Sequence, residues 1–158
     1  MNQVIKEQSR LVPAVRSIVA ASLMALASQS PAAAPVAVVV NPENSVQANE
    51  ADARALVARI FRRDTSNWPS GEDARPISRE GAIQETFRDE VLGMSRSEWE
   101  QHWIRKKQRS GETPPREVGS TRMVVRLIER DPGGITLLDK EEVERYGDSV
   151  NVLFWIGD

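Results

Sequence analysis

A chain without cysteine and with a single histidine, His102, has few routes to chemistry. The missing thiols exclude disulfides, thiolate zinc sites, thiolate-held iron–sulfur clusters and a cysteine nucleophile together. A Ser-His-Asp arrangement would have to use His102, and no G-x-S-x-G or comparable nucleophile signature accompanies it. No acidic run has the spacing of a calcium loop, so neither a metal nor a cofactor is assigned. An enzyme would need a nucleophile with its base or a paired-carboxylate site, and the acids are scattered over helix surfaces, so the chain is read as a non-enzyme. What remains is a set of donors suited to an anion. Arg79 lies between a short strand and a helix start, and a guanidinium matches an oxyanion bidentately. The same residue also reads as a solvated arginine paired with Glu80 or Glu85, the commoner arrangement. Ser78, Ser120 and Thr121 stand near expected helix starts, where they either donate to an anion or simply cap. His102, between Trp99 and Trp103, reads as a half-buried packing residue or a pH-sensitive element.

Those residues need a scaffold, and 158 residues with 40% hydrophobic and 28% charged side chains suffice for one globular domain. The formal charge of −2 lacks the basic surplus that drives non-specific nucleic-acid binding, so no nucleic-acid partner is expected. The N-terminus reads as an address. Lys6, Arg10 and Arg16 precede the uncharged, largely apolar stretch from Ser17 to Ala27. This is the layout of a secretory signal with cleavage after Ala27. The stretch is too short to span a bilayer, which needs about 20 residues. The expectation is therefore a signal peptide over 1–27, a flexible leader over 28–34 and one domain over 35–158. The processed protein would be periplasmic, without a stable membrane span.

Within that domain, Pro35 to Val40 is a valine-rich run that suits a strand covered on both faces, as in a parallel sheet. Glu50 to Arg63 places Leu56, Val57, Ile60 and Phe61 on one helical stripe. Arg75 to Ser78 allows a short, proline-containing strand, and Trp68 should plug the core beneath the preceding loop. Gly81 to Leu92 repeats Ile83, Phe87 and Val91 at helical spacing and ends near Gly93. Ser95-x-x-Glu98 opens a third helix, with Trp99 and Trp103 facing inward and a basic end at Arg105 to Arg109. Gly111 to Gly119 reads as a loop, and Ser120 to Asp131 as a fourth helix stopped by Asp131-Pro132-Gly133. Gly134 to Leu138 is a strand, Asp139-x-x-Glu142 caps a short helix, and Ser149 to Ile156 alternates Val150, Val152, Phe154 and Ile156 on one face. Strands alternating with helices imply an α/β layer architecture.

Several phrases, in order, resemble the phosphate-type (PstS-like) periplasmic solute-binding proteins and their small single-lobe relatives. They are VVVNPEN at Val38 to Asn44, ARIFRRDTSNWPSG at Ala58 to Gly71, RPISREGAIQETFRDEVLGMS at Arg75 to Ser95, WEQHW at Trp99 to Trp103, TPPR at Thr113 to Arg116 and DPGGITLL at Asp131 to Leu138. The resemblance implies an α/β single lobe of the type II periplasmic-binding-protein-like fold, with a central mixed sheet flanked by helices. It also implies an oxyanion held against helix N-termini, in an ABC phosphate-uptake-related system. The positions matching the family's binding segments are the loop from Asn41 to Ser45, the segment Ser78 to Ile83 and the helix start Ser120-Thr121. The implied ligand-binding set is Ser45, Ser78, Arg79, Gly81, Ser120 and Thr121, with phosphate or another small oxyanion as partner. The chain departs from the family where members offer Ser-Gly-Thr, because it has Glu80-Gly81-Ala82-Ile83. Two hydroxyl donors are missing there, and Glu80 would repel an anion. One lobe also cannot enclose an ion, so a second protein or self-association would have to complete the site. The alternative is an interaction or scaffold module that keeps the fold without a ligand.

Overall fold

The computed structural model describes residues 34–157; the signal segment 1–27 and most of the leader lie outside the described residues. The valine run forms β1 (Val36–Val40), and all five of its residues are buried. It lies inside a five-stranded sheet of order β3-β2-β4-β1-β5, with β2 at Arg75–Ser78, β3 at Arg116–Glu117, β4 at Gly134–Asp139 and β5 at Asn151–Ile156. Burial on both faces is as the valines require. The parallel pairing expected of β1 is not found, because it runs antiparallel to both β4 and β5. The other four strands share one direction, since β2 is parallel to β3 and β4 and β5 is antiparallel to β1. A continuous apolar run reports two covered faces, and antiparallel strands covered on both faces satisfy it equally well.

Helices cover both faces. On one side, β1 residues Val36, Val38 and Val40 meet Val57, Ile60 and Phe61 of α1 (Glu50–Phe61), together with Phe87 and Leu92. Phe87 ends α2 (Ala82–Phe87), which continues as a π-helical turn over Arg88–Leu92 and stops at left-handed Gly93. Phe61 and Phe87 pack ring to ring with centroids 4.6 Å apart. On the other side, Ala37 and Val39 meet Val124, Val125 and Ile128 of α4 (Thr121–Arg130), with Val143 of α5 (Lys140–Tyr146) at the margin. The two alternating faces of β1 thus supply two cores from one strand.

On the side of α1, α3 (Arg96–Ser110) carries the expected capping box of Ser95 and Glu98. Trp103 is buried and Trp99 is half-buried against the first core. The stretch expected to be only a loop after α3 contains the two-residue β3, whose polar sequence lacks any strand period. Another correction concerns β5. The register between β1 and β5 shifts between Val38 and Val39, a β-bulge that leaves Leu153 without a partner. Val150 and Val152 therefore join the second core while Phe154 and Ile156 join the first, and they do not share one face.

The turn Asp131-Pro132-Gly133 holds the start of β4 against β2. Gly133 O accepts from Arg75 N at 2.9 Å and from Trp68 Nε1 at 3.0 Å, and Trp68 plugs the core as expected, 2% exposed. A Cβ on Gly133 would lie 1.9 Å from the Asp73 carbonyl oxygen. Gly133→Ala is therefore expected to lower stability by about 1–3 kcal/mol, measured as a fall in the urea midpoint at unchanged m-value.

Candidate functional site

The C-terminal end of β2 delivers Ser78 and Arg79 into the interior, 6% and 5% exposed. Arg79 is neither solvated nor paired with Glu80 or Glu85. Its Nη1 donates to Leu137 O of β4 at 3.1 Å, and its Nη2 donates to Thr121 Oγ1 of α4 at 3.2 Å. The two terminal nitrogens also grip the Glu142 carboxylate of α5, Nη2 to Oε1 at 3.0 Å and Nη1 to Oε2 at 3.4 Å. The backbone N–H of Arg79 donates to Gln84 Oε1 at 2.8 Å. One guanidinium thus joins β2, β4, α4 and α5.

Glu142 is held from every side. Thr121 Oγ1 donates to its Oε1, and Asp139 N donates to Oε2 at 3.0 Å, while Glu142 N donates to Asp139 Oδ1 at 2.8 Å. The expected capping box is present, and its carboxylate does a second duty. Burial opposes the charge on Glu142, yet the bonds from Thr121, the Asp139 backbone and Arg79 together hold its carboxyl below the usual range.

The arrangement is an anion cradle: a buried guanidinium, a threonine hydroxyl and a backbone N–H directed at one carboxylate beside the start of α4, where the helix dipole favours negative charge. Two further buried donors close by, Arg79 Nε and Gln84 Nε2, find no acceptor among the described residues. A second carboxylate borders the cradle, because a Cβ on Gly119 would lie 2.7 Å from Glu80 Oε2.

Of the residues singled out from sequence, Ser78, Arg79, Gly81 and Thr121 gather here and Ser120 stands next to them. Ser120 is the N-cap of α4, its hydroxyl accepting from Met123 N at 3.4 Å. Neither Ser78 nor Thr121 is a cap. Ser78 ends β2, where its carbonyl accepts from Val118 N at 2.9 Å, and the Thr121 hydroxyl is given to Glu142. Gly81 opens α2 at φ 74°, a conformation suited to glycine, and its carbonyl accepts from Gln84 N at 3.1 Å.

Ser45 does not converge with the others. Its loop is fixed at the other end of β4, where Asn41 Nδ2 caps the C-terminus of α4 by donating to Ile128 O at 2.7 Å and Asn44 Nδ2 donates to Pro132 O at 3.2 Å. The length of β4 places roughly 16 Å between the two ends at the usual strand rise. β1 runs against its neighbours, so the loop that follows it emerges at the wrong edge. Sequence reasoning missed Glu142 and Gln84; Glu142 was visible only as a cap, 63 positions from Arg79.

Among the described residues, no group of three or more His, Asp or Glu side chains is placed to hold a metal ion. No helix there is long and apolar enough to cross a membrane.

No family model and no curated protein matches the chain. Solved structures do. An ABC-type phosphate transport receptor from Vibrio cholerae superposes with a TM-score of 0.55 at 19% identity over 77% of this chain. PstS from Borrelia burgdorferi superposes with a TM-score of 0.54 at 15% identity over 76% of it. The chain spans about half the length of these proteins, 46% and 47% respectively. At such identities the likeness is one of fold, and the fold is a single lobe of the type II binding-protein kind.

The Arg79–Glu142 pair sets two expectations. The folded carboxyl of Glu142 titrates below its unfolded value, so its contribution is complete above about pH 4.5 and is lost as pH falls through the lowered value. Glu142→Gln should flatten the acid limb of a stability-versus-pH curve measured by urea denaturation. Arg79→Ala, which strands a largely buried carboxylate, should cost about 3–5 kcal/mol at neutral pH in the same measurement.

Proposed function

We propose that this chain is an exported solute-binding-type lobe that recognises a small oxyanion such as phosphate at the Arg79–Thr121 cradle. It would work as a binding component, not an enzyme, in an ABC phosphate-uptake-related system. The reading draws on the fold shared with phosphate receptors, and one observation carries it: the cradle already holds an anion. The Glu142 carboxylate takes the charge-assisted bonds that an oxyanion would take, and the unmatched donors on Arg79 and Gln84 leave capacity for more oxygens.

Ligand entry requires Glu142 to withdraw. It sits on α5, a seven-residue helix with no fully buried residue, so the moving element is weakly anchored. While the internal carboxylate fills the cradle, apparent affinity falls by the fraction of molecules in which it is displaced. The cradle is largely buried, with Arg79 5% exposed, so an incoming anion must also displace the side chains that cover it. A second protein or a second copy of the chain would complete the enclosure.

A second reading is favoured by a specific observation: Arg79 is already paired, and Glu80 adds a further negative charge. On this reading the lobe is a ligand-free interaction module with Glu142 as a permanent substitute for the anion.

Calorimetric titration of the full chain with phosphate, with sulfate as competitor, separates the two. The receptor reading expects weak saturable binding that Glu142→Ala strengthens by about 10–100-fold and Thr121→Val weakens. Heat absent from both the parent chain and Glu142→Ala, with the fold intact by circular dichroism, would leave the interaction module as the account.

A further inference from the structure

Between α4, β2 and the segment leading into β3 lies a concavity of about 730 Å³ that reaches the start of β4 at Gly134. Four arginines line it, Arg63, Arg75, Arg116 and Arg130, against one carboxylate, Asp131. Asp131 is engaged by Arg75, with Oδ2 3.0 Å from Nε. Among the described residues the other three arginines form no ion pair. Glu112, whose carboxylate feels the Arg63 charge, is itself taken up by Lys106 Nζ at 3.5 Å and Ser110 Oγ at 2.9 Å. A concentration of unpaired guanidinium groups in one hollow runs against a chain whose net charge is negative.

Helix dipoles account for part of this arrangement, since Arg130 ends α4 and Arg63 follows α1. They do not account for Arg75 and Arg116, which are on strands. Arg63 has a peculiarity of its own. It is the single non-glycine residue with positive φ among the described residues, at 58°. The conformation costs roughly 1–2 kcal/mol in an L-residue and is held in place by Lys106 Nζ, which donates to Arg63 O at 2.6 Å. Glycine would adopt this helix-end conformation freely; arginine adds a charged fork at the wall of the hollow.

We propose that this hollow is a second anion site, specific for an oligophosphate chain, either free or carried on an organic group. Guanidinium forks from separate elements call for a ligand presenting several phosphate oxygens at once. A volume of this size suits a small molecule and exceeds what a single orthophosphate fills. Ile77 and Leu127 in the lining offer apolar surface to an organic group beside the phosphates. The hollow shares no residue with the cradle; its nearest members, Ile77 and its partner Arg116, stand two positions along β2 from Arg79.

The test is calorimetry of the full chain at low ionic strength with three probes: tripolyphosphate, adenosine triphosphate and hexaglutamate. Tripolyphosphate should bind saturably at one site, weakened by about tenfold or more in Arg116→Gln and in Arg130→Gln. Arg105→Gln, which removes an equal exposed charge from α3, should change the affinity by less than about twofold. Adenosine triphosphate binding tighter than tripolyphosphate identifies an organic phosphate as the source, and weaker binding identifies the free chain. The proposal is overturned by absence of saturable binding, by an equal loss in Arg105→Gln, or by hexaglutamate binding more tightly than either phosphate. Orthophosphate titrated in parallel reports the cradle separately, through its response to Thr121→Val.

Discussion

A guanidinium taken out of water must find acceptors for its N–H groups and a countercharge for itself, and Arg79 meets both needs by drawing on most of the lobe. Its partners are the Leu137 carbonyl in β4, the Thr121 hydroxyl at the head of α4 and the Glu142 carboxylate of α5. The backbone of the same residue is bound by Gln84 of α2. Helices from opposite faces of the sheet, α2 on one and α4 and α5 on the other, are thereby registered against the end of β2. A neutral side chain would relax these distances, whereas a buried charge penalises each acceptor that drifts away.

The same constraint bears on the proposed recognition of an anion. The donors that stabilise Glu142 are of the kind that stabilise a bound oxyanion, so on that proposal folding and ligand recognition compete for one set of hydrogen bonds. A carboxylate on the same chain has the advantage of proximity, and a diffusible anion must offset it by making more bonds or by bringing a second protein surface that encloses the site. A lobe whose cradle is already occupied by its own carboxylate would therefore be biased toward weak or partner-dependent capture.

Charge is divided between the two ends of β4. At the C-terminal end the Arg79 charge is neutralised internally by Glu142. Around the hollow, larger than a single phosphate, Arg63, Arg116 and Arg130 form no ion pair among the described residues. The glycine turn between α4 and β4 links these regions, because the close approach of Gly133 to Asp73 fixes how the strand begins. The hollow and the cradle are thus set by the two ends of the same packed unit, α4 against β4.

Much of this lobe was legible in residue order. Apolar period located the helices at Glu50, Gly81 and Ser120, Ser95 with Glu98 and Asp139 with Glu142 announced two more helix starts, and Gly93 and Pro132 marked helix ends, because caps and stops are chemistry between neighbours. The ordered phrases also pointed to the binding-protein lobe that the superpositions show. Strand direction was not legible, since a valine run reports burial on two faces and is silent about which way its partners run. Nor was the bulge at Leu153, which exchanges the faces of Val152 and Phe154 through pairing with a strand more than a hundred residues away. The candidate site divided along the same line. The structure brings Arg79, Ser78, Gly81 and Thr121 together, whereas the antiparallel course of β1 sends the loop of Ser45 to the far end of the sheet. Glu142 appeared only as a local cap. Sequence by itself determined the helices, the four longer strands and the caps at Ser95 and Asp139, because these depend on residues within a few positions of one another. The tertiary structure alone decided strand direction, the meeting of Arg79 with Glu142 and the gathering of arginines around one hollow, because each depends on long-range packing that no local pattern encodes.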